Sequence, residues 1–125
     1  MLIDLEAIDA GVLPAEVAVS AVTLAELAAG PHATTDLDER SRRQDRLQRA
    51  EAAFDPLPFD GSCARAYGRV FAAVVAAGRK PRGPRAVDLL VAATAVAAQL
   101  PLYTRNVEDF RGLDGVVEVV GVRRN

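Results

Sequence analysis

The longest apolar run of the chain follows an acidic residue. Residues 89–98 contain one polar side chain, Thr94, and Asp88 stands directly before them. A helix that is apolar on every side is a buried helix rather than an amphipathic surface helix. Gln99 ends the run, and residues 100–103 have the composition of a short buried strand. Because parallel strands are joined by helical crossovers, this order predicts one unit of an α/β fold.

The rest of the chain alternates between short apolar segments and segments with helical periodicity. We predict strands at residues 17–20, 57–59 and 116–122, helices at residues 21–29, 39–53 and 62–77, and a polar loop at residues 32–38. The helix at 62–77 has one apolar stripe, which consists of Ala64, Tyr67, Phe71, Val74 and Val75. The sequence therefore predicts a single α/β domain over residues 1–125, with a parallel sheet of about four to five strands flanked by helices.

The composition of the chain limits the kinds of functional site that it can form. The chain has one cysteine and one histidine, which excludes an internal disulfide and argues against a Cys/His zinc site. A formal net charge of −2 gives no overall attraction to nucleic acid, so nucleic-acid binding would need a local basic patch. No glycine-rich nucleotide-binding motif is present. Neither a secretory leader nor an apolar run of transmembrane length is found, and we therefore predict a cytoplasmic protein.

Three acidic residues carry the candidate chemistry, and each also has a structural interpretation. Asp88 precedes the core helix and Asp109 follows the core strand, where open α/β sheets place ligand sites. As alternatives, Asp88 caps its helix and Asp109, three residues after Asn106, belongs to a second capped start. Glu26 stands three residues after Thr23, which is the spacing of a capping box. Brought together, such carboxylates would bind a divalent cation, and Mg²⁺ prefers oxygen ligands.

Two segments resemble a known family. Residues 87–110, VDLLVAATAVAAQLPLYTRNVEDF, closely resemble the C-terminal half of the PIN domain, and more narrowly the VapC toxins of bacterial toxin–antitoxin pairs. Residues 19–30, VSAVTLAELAAG, resemble the second conserved block of VapC. The resemblance implies a single PIN-like domain that acts as a Mg²⁺-dependent endoribonuclease, with Mn²⁺ as a substitute. It further implies that Glu26, Asp88 and Asp109 are catalytic and metal-binding.

The same resemblance implies supporting residues and partners. Thr104 and Asn106 match polar residues near the metal of the family, and Arg105 matches a phosphate contact. VapC toxins form homodimers, cleave structured RNA (tRNA, rRNA or mRNA) and are inhibited by a VapB-like antitoxin. The charged helix at 39–53 is either solvated surface or, with the helix before it, the clamp for an antitoxin peptide.

A basic loop leads into Asp88. It is predicted to bind RNA phosphates because it adjoins the candidate metal site, and its members are Arg79, Lys80, Arg82 and Arg85. The alternative is that these charges serve solubility alone.

The start of the chain departs from the family, which begins with a buried strand ending in Asp-Thr-Ser. MLIDLE looks like the sequel to that strand, with the strand and its metal-binding Asp missing. We therefore expect the natural protein to begin upstream, and residues 1–125 alone to be poorly stable or weakly active. The alternative is that residues 1–5 take the place of the strand and make Asp4 a metal ligand.

Two other functions remain open. One is a catalytically degenerate PIN domain that binds RNA or an antitoxin. The weaker one is an unrelated α/β domain with an acidic site, such as a phosphate receiver, for which Lys80 is the single available lysine.

Overall fold

A parallel sheet with helical connections forms the frame of the protein. The computed structural model describes residues 2–3, 18–80, 86–104 and 106–121, and the structural statements below concern these residues. The elements in chain order are β1 (Leu2–Ile3), β2 (Ala18–Val19), α1 (Ala21–Ala29), α2 (Leu37–Ala53), α3 (Gly61–Ala76), α4 (Ala86–Ala98), β3 (Leu102–Thr104) and β4 (Val119–Gly121). Two 3₁₀ helices lie at Gly30–Ala33 and Val107–Phe110.

The four strands pair in the order β2-β1-β3-β4, and every pair is parallel. Leu2 of β1 lies opposite Ala18 on one side and Leu102 on the other. β1 therefore occupies the centre of the sheet, and the expectation that the central strand is missing is wrong. The alternative, in which the first residues take this place, is the arrangement observed. Asp4 follows β1 directly in the sequence and lies outside the described residues.

Three predicted strands are shorter than predicted, and their backbone hydrogen bonds show where each one begins or ends. Leu57 forms a single parallel bridge to Ser20 in place of a strand over residues 57–59. β3 begins at Leu102 because Leu100 still donates its N–H to the end of α4, at the carbonyl of Ala95 (3.0 Å). β4 begins late because the N–H groups of residues 116 and 117 both turn back to the carbonyl of Leu113 (2.9 Å each).

The predicted helices are present, and one predicted loop is partly helical. α1 has the predicted bounds. Residues 32–38, expected to be loop, contain the end of the 3₁₀ helix Gly30–Ala33 and the start of α2 at Leu37. α2 begins early because Asp36 caps it, accepting the N–H of Glu39 at 3.1 Å. No helix of the described segments is long and apolar enough to cross a membrane.

The core lies between α3 and α4. The buried face of α3 consists of Cys63, Ala66, Val70 and Val74. The predicted stripe is therefore displaced by about one position, and Val75 is 53% exposed. Ala92, Ala93 and Ala95 of α4 are fully buried in the same cluster as Ala66 and Val70. The covered face of α3 is thus the one that packs with the small side chains of α4.

Candidate functional site

The carboxyl ends of the strands share one edge of the sheet, because the strands are parallel. Ser20 follows β2 at this edge, and Thr104 ends β3 there. Between α4 and β3 the chain reverses at Gln99, whose φ is +57°. Since α4 therefore runs back along β3, the first turn of α4 lies on the side of the sheet where β3 ends. Asp88 is in that turn.

Ser20, rather than Thr23, begins the helix that carries Glu26. The Ser20 hydroxyl accepts the N–H of Thr23 at 2.9 Å and donates to the Thr23 hydroxyl at 3.0 Å. Both side chains are fully buried. The capping-box interpretation of Thr23 and Glu26 is therefore wrong, and Glu26 lies half-buried in the second turn of α1. The signal in the sequence was a serine directly after an apolar strand segment and three residues before Thr23.

Asp88 is the third residue of α4, so it does not occupy the cap position. Its side chain is half-buried in the first helical turn. The N-terminal end of a helix favours negative charge because of the aligned peptide dipoles. Further along α4, Thr94 is buried and satisfies its hydroxyl by donating to the carbonyl of Leu90 at 3.0 Å. The buried part of the run that follows Asp88 therefore contains no unpaired hydroxyl at Thr94.

Asp109 lies in the 3₁₀ helix Val107–Phe110, which is fixed to the end of β3. The Thr104 hydroxyl accepts the N–H of Asn106 at 3.0 Å, and the Asn106 carbonyl accepts the N–H of Asp109 at 3.1 Å. Asn106 precedes the helix but makes no side-chain cap bond. Phe110 is buried and anchors the other end of the turn. Buried Thr104 thus supports the backbone on which Asp109 is carried.

α4 carries Asp88 and contacts the two other described elements that carry predicted carboxylates. It contacts α1, which carries Glu26, and the 3₁₀ helix that carries Asp109. Within the described segments, no three His, Cys, Asp or Glu side chains are grouped so that they could hold a metal ion. Asp4, Arg82, Arg85 and Arg105 lie outside those segments. The metal-binding roles of Glu26, Asp88, Asp109 and Asp4 accordingly remain predictions, as do the RNA contacts of the three arginines.

The described part of the basic loop has two differently placed cations. Lys80 is exposed. Arg79 is half-buried, and its Nη1 donates to the carbonyls of Glu108 at 3.0 Å and Arg111 at 2.7 Å. Nothing in the local sequence indicates these two bonds, because their acceptors lie 29 and 32 residues further along the chain.

The surface of α2 is held to the preceding turn by arginines. Arg40 Nε donates to the carbonyl of Pro31 at 3.0 Å, and Arg43 Nη1 donates to that of Gly30 at 2.9 Å. Glu39 binds both Arg42 and Arg43. Hydrogen bonds from Arg42 and then Arg43 hold the pKa of Glu39 below its ordinary value. This charged helix is therefore ordered by its own polar contacts.

Comparison with known proteins decides the family. The model of the PIN domain matches residues 3–116. The chain belongs to the PIN-domain family. It is 35% identical over 116 residues to Ribonuclease VapC5 of Mycobacterium tuberculosis, an alignment that covers 93% of this chain and 82% of that protein. The resemblance to VapC drawn from residues 19–30 and 87–110 is thereby confirmed.

Solved structures support the same PIN assignment. A chain of VapBC-5 from Mycobacterium tuberculosis, described as a member of the VapBC family of toxin–antitoxin systems, is 34% identical, with a TM-score of 0.83 and 97% of each chain covered. A chain of FitAcB from Neisseria gonorrhoeae is 26% identical, with a TM-score of 0.74 and 95% of each chain covered. The predicted α/β fold with a parallel sheet is confirmed.

Proposed function

We propose that this protein is the ribonuclease toxin of a type II toxin–antitoxin pair and that it cleaves RNA internally with a bound Mg²⁺ ion. The observation that carries the proposal is the position of α4 in a PIN-domain chain. α4 contacts both other elements that bear predicted carboxylates, and Asp88 lies in its first turn. The similarity to Ribonuclease VapC5 supports the reaction class.

The donor set fits a hard divalent cation. Glu26, Asp88 and Asp109 offer carboxylate oxygens, and Asp4 follows the central strand in the sequence. Mg²⁺ usually accepts one or two carboxylates directly and keeps several waters, so a tight group of three side chains is not required. When bound, such an ion lowers the pKa of water and stabilises negative charge on phosphate. We assign direct contact with the Mg²⁺ ion to the carboxylate of Asp88.

The other residues of the site either hold the Asp109 turn in position or attract the RNA substrate. Thr104 holds the turn of Asp109 through the N–H of Asn106. Because the chain has a net charge of −2, affinity for RNA must come from local cations. We assign that role to exposed Lys80, together with Arg82, Arg85 and Arg105, whose charges neutralise phosphates.

The partner is a VapB-like antitoxin, and the toxin acts as a homodimer in the cytoplasm. The similarity to VapBC-5 at 34% identity supports the antitoxin partner, whereas the homodimer and the location in the cytoplasm follow from the resemblance to VapC. α1 and α2 pack against each other, and the charged side of α2 lies beside α1. We assign this pair of helices to the antitoxin peptide. Co-purification from the native host, followed by sizing of the purified protein, tests the assignment: a small partner at stoichiometric yield supports it, and its absence contradicts it.

The decisive experiment replaces Asp88 by asparagine, which keeps the shape and removes the charge. We expect RNA cleavage in Mg²⁺ to fall by about a hundredfold or more, since several kcal/mol of charge stabilisation are lost. Asp114→Asn is the matched control, because Asp114 is exposed and lies in the loop between the 3₁₀ helix Val107–Phe110 and β4. A folded Asp88→Asn variant that cleaves RNA at the wild-type rate would overturn the proposal.

One observation favours the second candidate, a non-catalytic PIN domain that binds RNA or antitoxin. The described segments contain no group of three potential ligands able to hold a metal. In that case the wild-type protein would bind RNA but show no cleavage that Mg²⁺ or Mn²⁺ stimulates. A metal titration of wild-type activity therefore separates the two candidates before any variant is made.

A further inference from the structure

The C-terminal end of α3 fixes the backbone position of Arg79. Gly78, with a φ of +76°, follows the helix. Its N–H donates to the carbonyl of Val75, and the N–H of Arg79 donates to that of Val74, both at 3.0 Å. This pair of bonds is a Schellman motif, which closes a helix and fixes the direction of the chain that leaves it. The backbone of Arg79 is therefore fixed before its side chain makes any contact.

The side chain of Arg79 reaches the turn that carries Asp109. Its Nη1 donates to the carbonyl of Glu108, just before Asp109, at 3.0 Å, and to that of Arg111, just after Phe110, at 2.7 Å. Bonds with one charged partner are shorter and stronger than bonds between neutral groups. A cation at the carbonyl end of a helical turn is also favoured by the peptide dipoles. One guanidinium thus clamps the backbone on both sides of Asp109.

Gly112, the residue after Arg111, provides a second contact between the end of α3 and the turn that carries Asp109. Gly112 has a φ of +96°, and a Cβ built on it would lie 2.8 Å from the Cβ of Ala77. The absence of a side chain therefore lets the chain after Arg111 lie directly against the end of α3. Two unlike contacts, a charged clamp and a close backbone approach, hold this turn on α3.

We infer that Arg79 is a positioning residue, which acts through the backbone of Val107–Phe110 to hold Asp109 in place. The inference rests on the proposed function for its effect on cleavage, although the clamp itself does not depend on it. It also changes the role expected for Arg79, from a phosphate contact to a support of the turn. The two roles differ in kinetics: a phosphate contact acts on RNA affinity, whereas a support of Asp109 acts on the rate of the bound complex.

The kinetic test compares Arg79→Ala, Arg79→Lys and the control Arg65→Ala, which removes an exposed guanidinium from α3 itself. For Arg79→Ala we expect kcat to fall about tenfold to a hundredfold, because small displacements of reacting groups have effects of this size. KM and its salt dependence should stay at wild-type values. Arg79→Lys should recover part of kcat, since one ammonium can still donate to a carbonyl, and Arg65→Ala should match wild type.

The opposite pattern would overturn the inference. If Arg79 contacts phosphate, Arg79→Ala raises KM and lowers the slope of log affinity against log salt by about 0.7 to 0.9. Unchanged kcat in a folded Arg79→Ala protein would equally reject the positioning role.

A readout without RNA separates this inference from the proposed function. The amides of Asp109, Arg111 and Leu113 donate within the turn, to the carbonyls of Asn106, Glu108 and Phe110. We expect Arg79→Ala to raise their hydrogen-exchange rates by about tenfold or more, while the amides of α4 stay protected. Unchanged exchange would reject the clamp. Faster exchange in a protein whose wild type never cleaves RNA would retain the clamp and reject the ribonuclease proposal.

Discussion

α4 and α2 are stabilised in opposite ways. Six of the 13 residues of α4 are buried, whereas Ala50 alone is buried among the 17 residues of α2. α4 is therefore stabilised by the removal of apolar surface from water, and α2 by hydrogen bonds and ion pairs on its exposed side. The contrast separates a helix that sets the geometry of the candidate site from a helix that offers a surface.

The polar contacts of α2 are weaker than their number implies. The Arg42–Glu39 ion pair is 2.8 Å long, but its side chains are 64% and 30% exposed. Exposed pairs of this kind contribute about 0 to 1 kcal/mol each. Burial of one leucine side chain contributes more, about 1.5 to 3 kcal/mol. Substitutions in α4 should therefore alter folding, whereas substitutions in α2 should leave the fold intact.

Leu89→Ala in α4 should show the largest effect. Leu89 is 1% exposed, and truncation of a buried leucine costs about 2 to 5 kcal/mol through lost burial and the cavity that remains. Leu37→Ala in α2 is the matched control, because Leu37 is 74% exposed. Urea unfolding of both variants measures the difference. Equal losses of stability would show that the contrast between the two helices is wrong.

The caps of α1 and α2 should repeat the contrast on a smaller scale. Ser20→Ala removes a buried hydroxyl that bonds Thr23 twice, and we expect a loss of about 1 to 2 kcal/mol. Asp36→Ala removes the exposed cap of α2, for which a loss of about 0.5 kcal/mol is expected. Thermal unfolding of the two variants provides the comparison. An Asp36→Ala loss as large as that of Ser20→Ala would contradict it.

Glu39→Gln should have the smallest effect, and that effect should depend on pH. The pKa of Glu39 is lowered by its hydrogen bonds to Arg42 and Arg43. A group whose folded pKa is lowered stabilises the protein fully above its unfolded pKa, about 4.3 for glutamate, and loses that contribution as pH falls through the folded pKa. Wild type should thus be slightly more stable than Glu39→Gln at neutral pH, with a difference that vanishes in acid.

The control for the last prediction is Glu51→Gln, which removes a carboxylate from the other end of α2 and leaves the Glu39 contacts in place. Added salt should also reduce the Glu39→Gln difference, since the pair is exposed. A difference between wild type and Glu39→Gln that persists below the folded pKa would show that the charge is not its cause.

Local patterns predicted α1 and α4 well, and contacts between distant segments explain what was missed. α1 lies between a capping serine and Gly30, both of which act within one turn. The stripe of α3 was displaced because neighbouring faces of that helix are both apolar, and the sequence of the helix alone does not show which of them packs against α4. β1 was expected only as an alternative, because two residues carry no periodicity. Its place is set by pairing with β2 and β3.

The candidate site divides in the same way. The resemblance to the family made Glu26, Asp88 and Asp109 candidates, and the structure adds the contacts of α4, which carries Asp88, with the elements that carry Glu26 and Asp109. The Arg79 bonds span 29 and 32 positions of sequence. A basic loop beside an acidic motif indicates phosphate binding. For this reason Arg79 was expected to bind phosphate, and its bonds to the carbonyls of Glu108 and Arg111 were not expected.

The central position of β1 also bears on the order of events during synthesis. Leu2 pairs with Ala18 of β2 and with Leu102 of β3, so β1 gains its second neighbour only after α4 and β3 have been made. Joining such distant segments carries a closure entropy that local helix pairing avoids. α3 and α4, which are neighbours in sequence and share the core, can pack earlier. A ribosome-bound chain that ends before β3 therefore lacks one of the two neighbours of its central strand, and the sheet edge that carries the proposed site is assembled only late in translation.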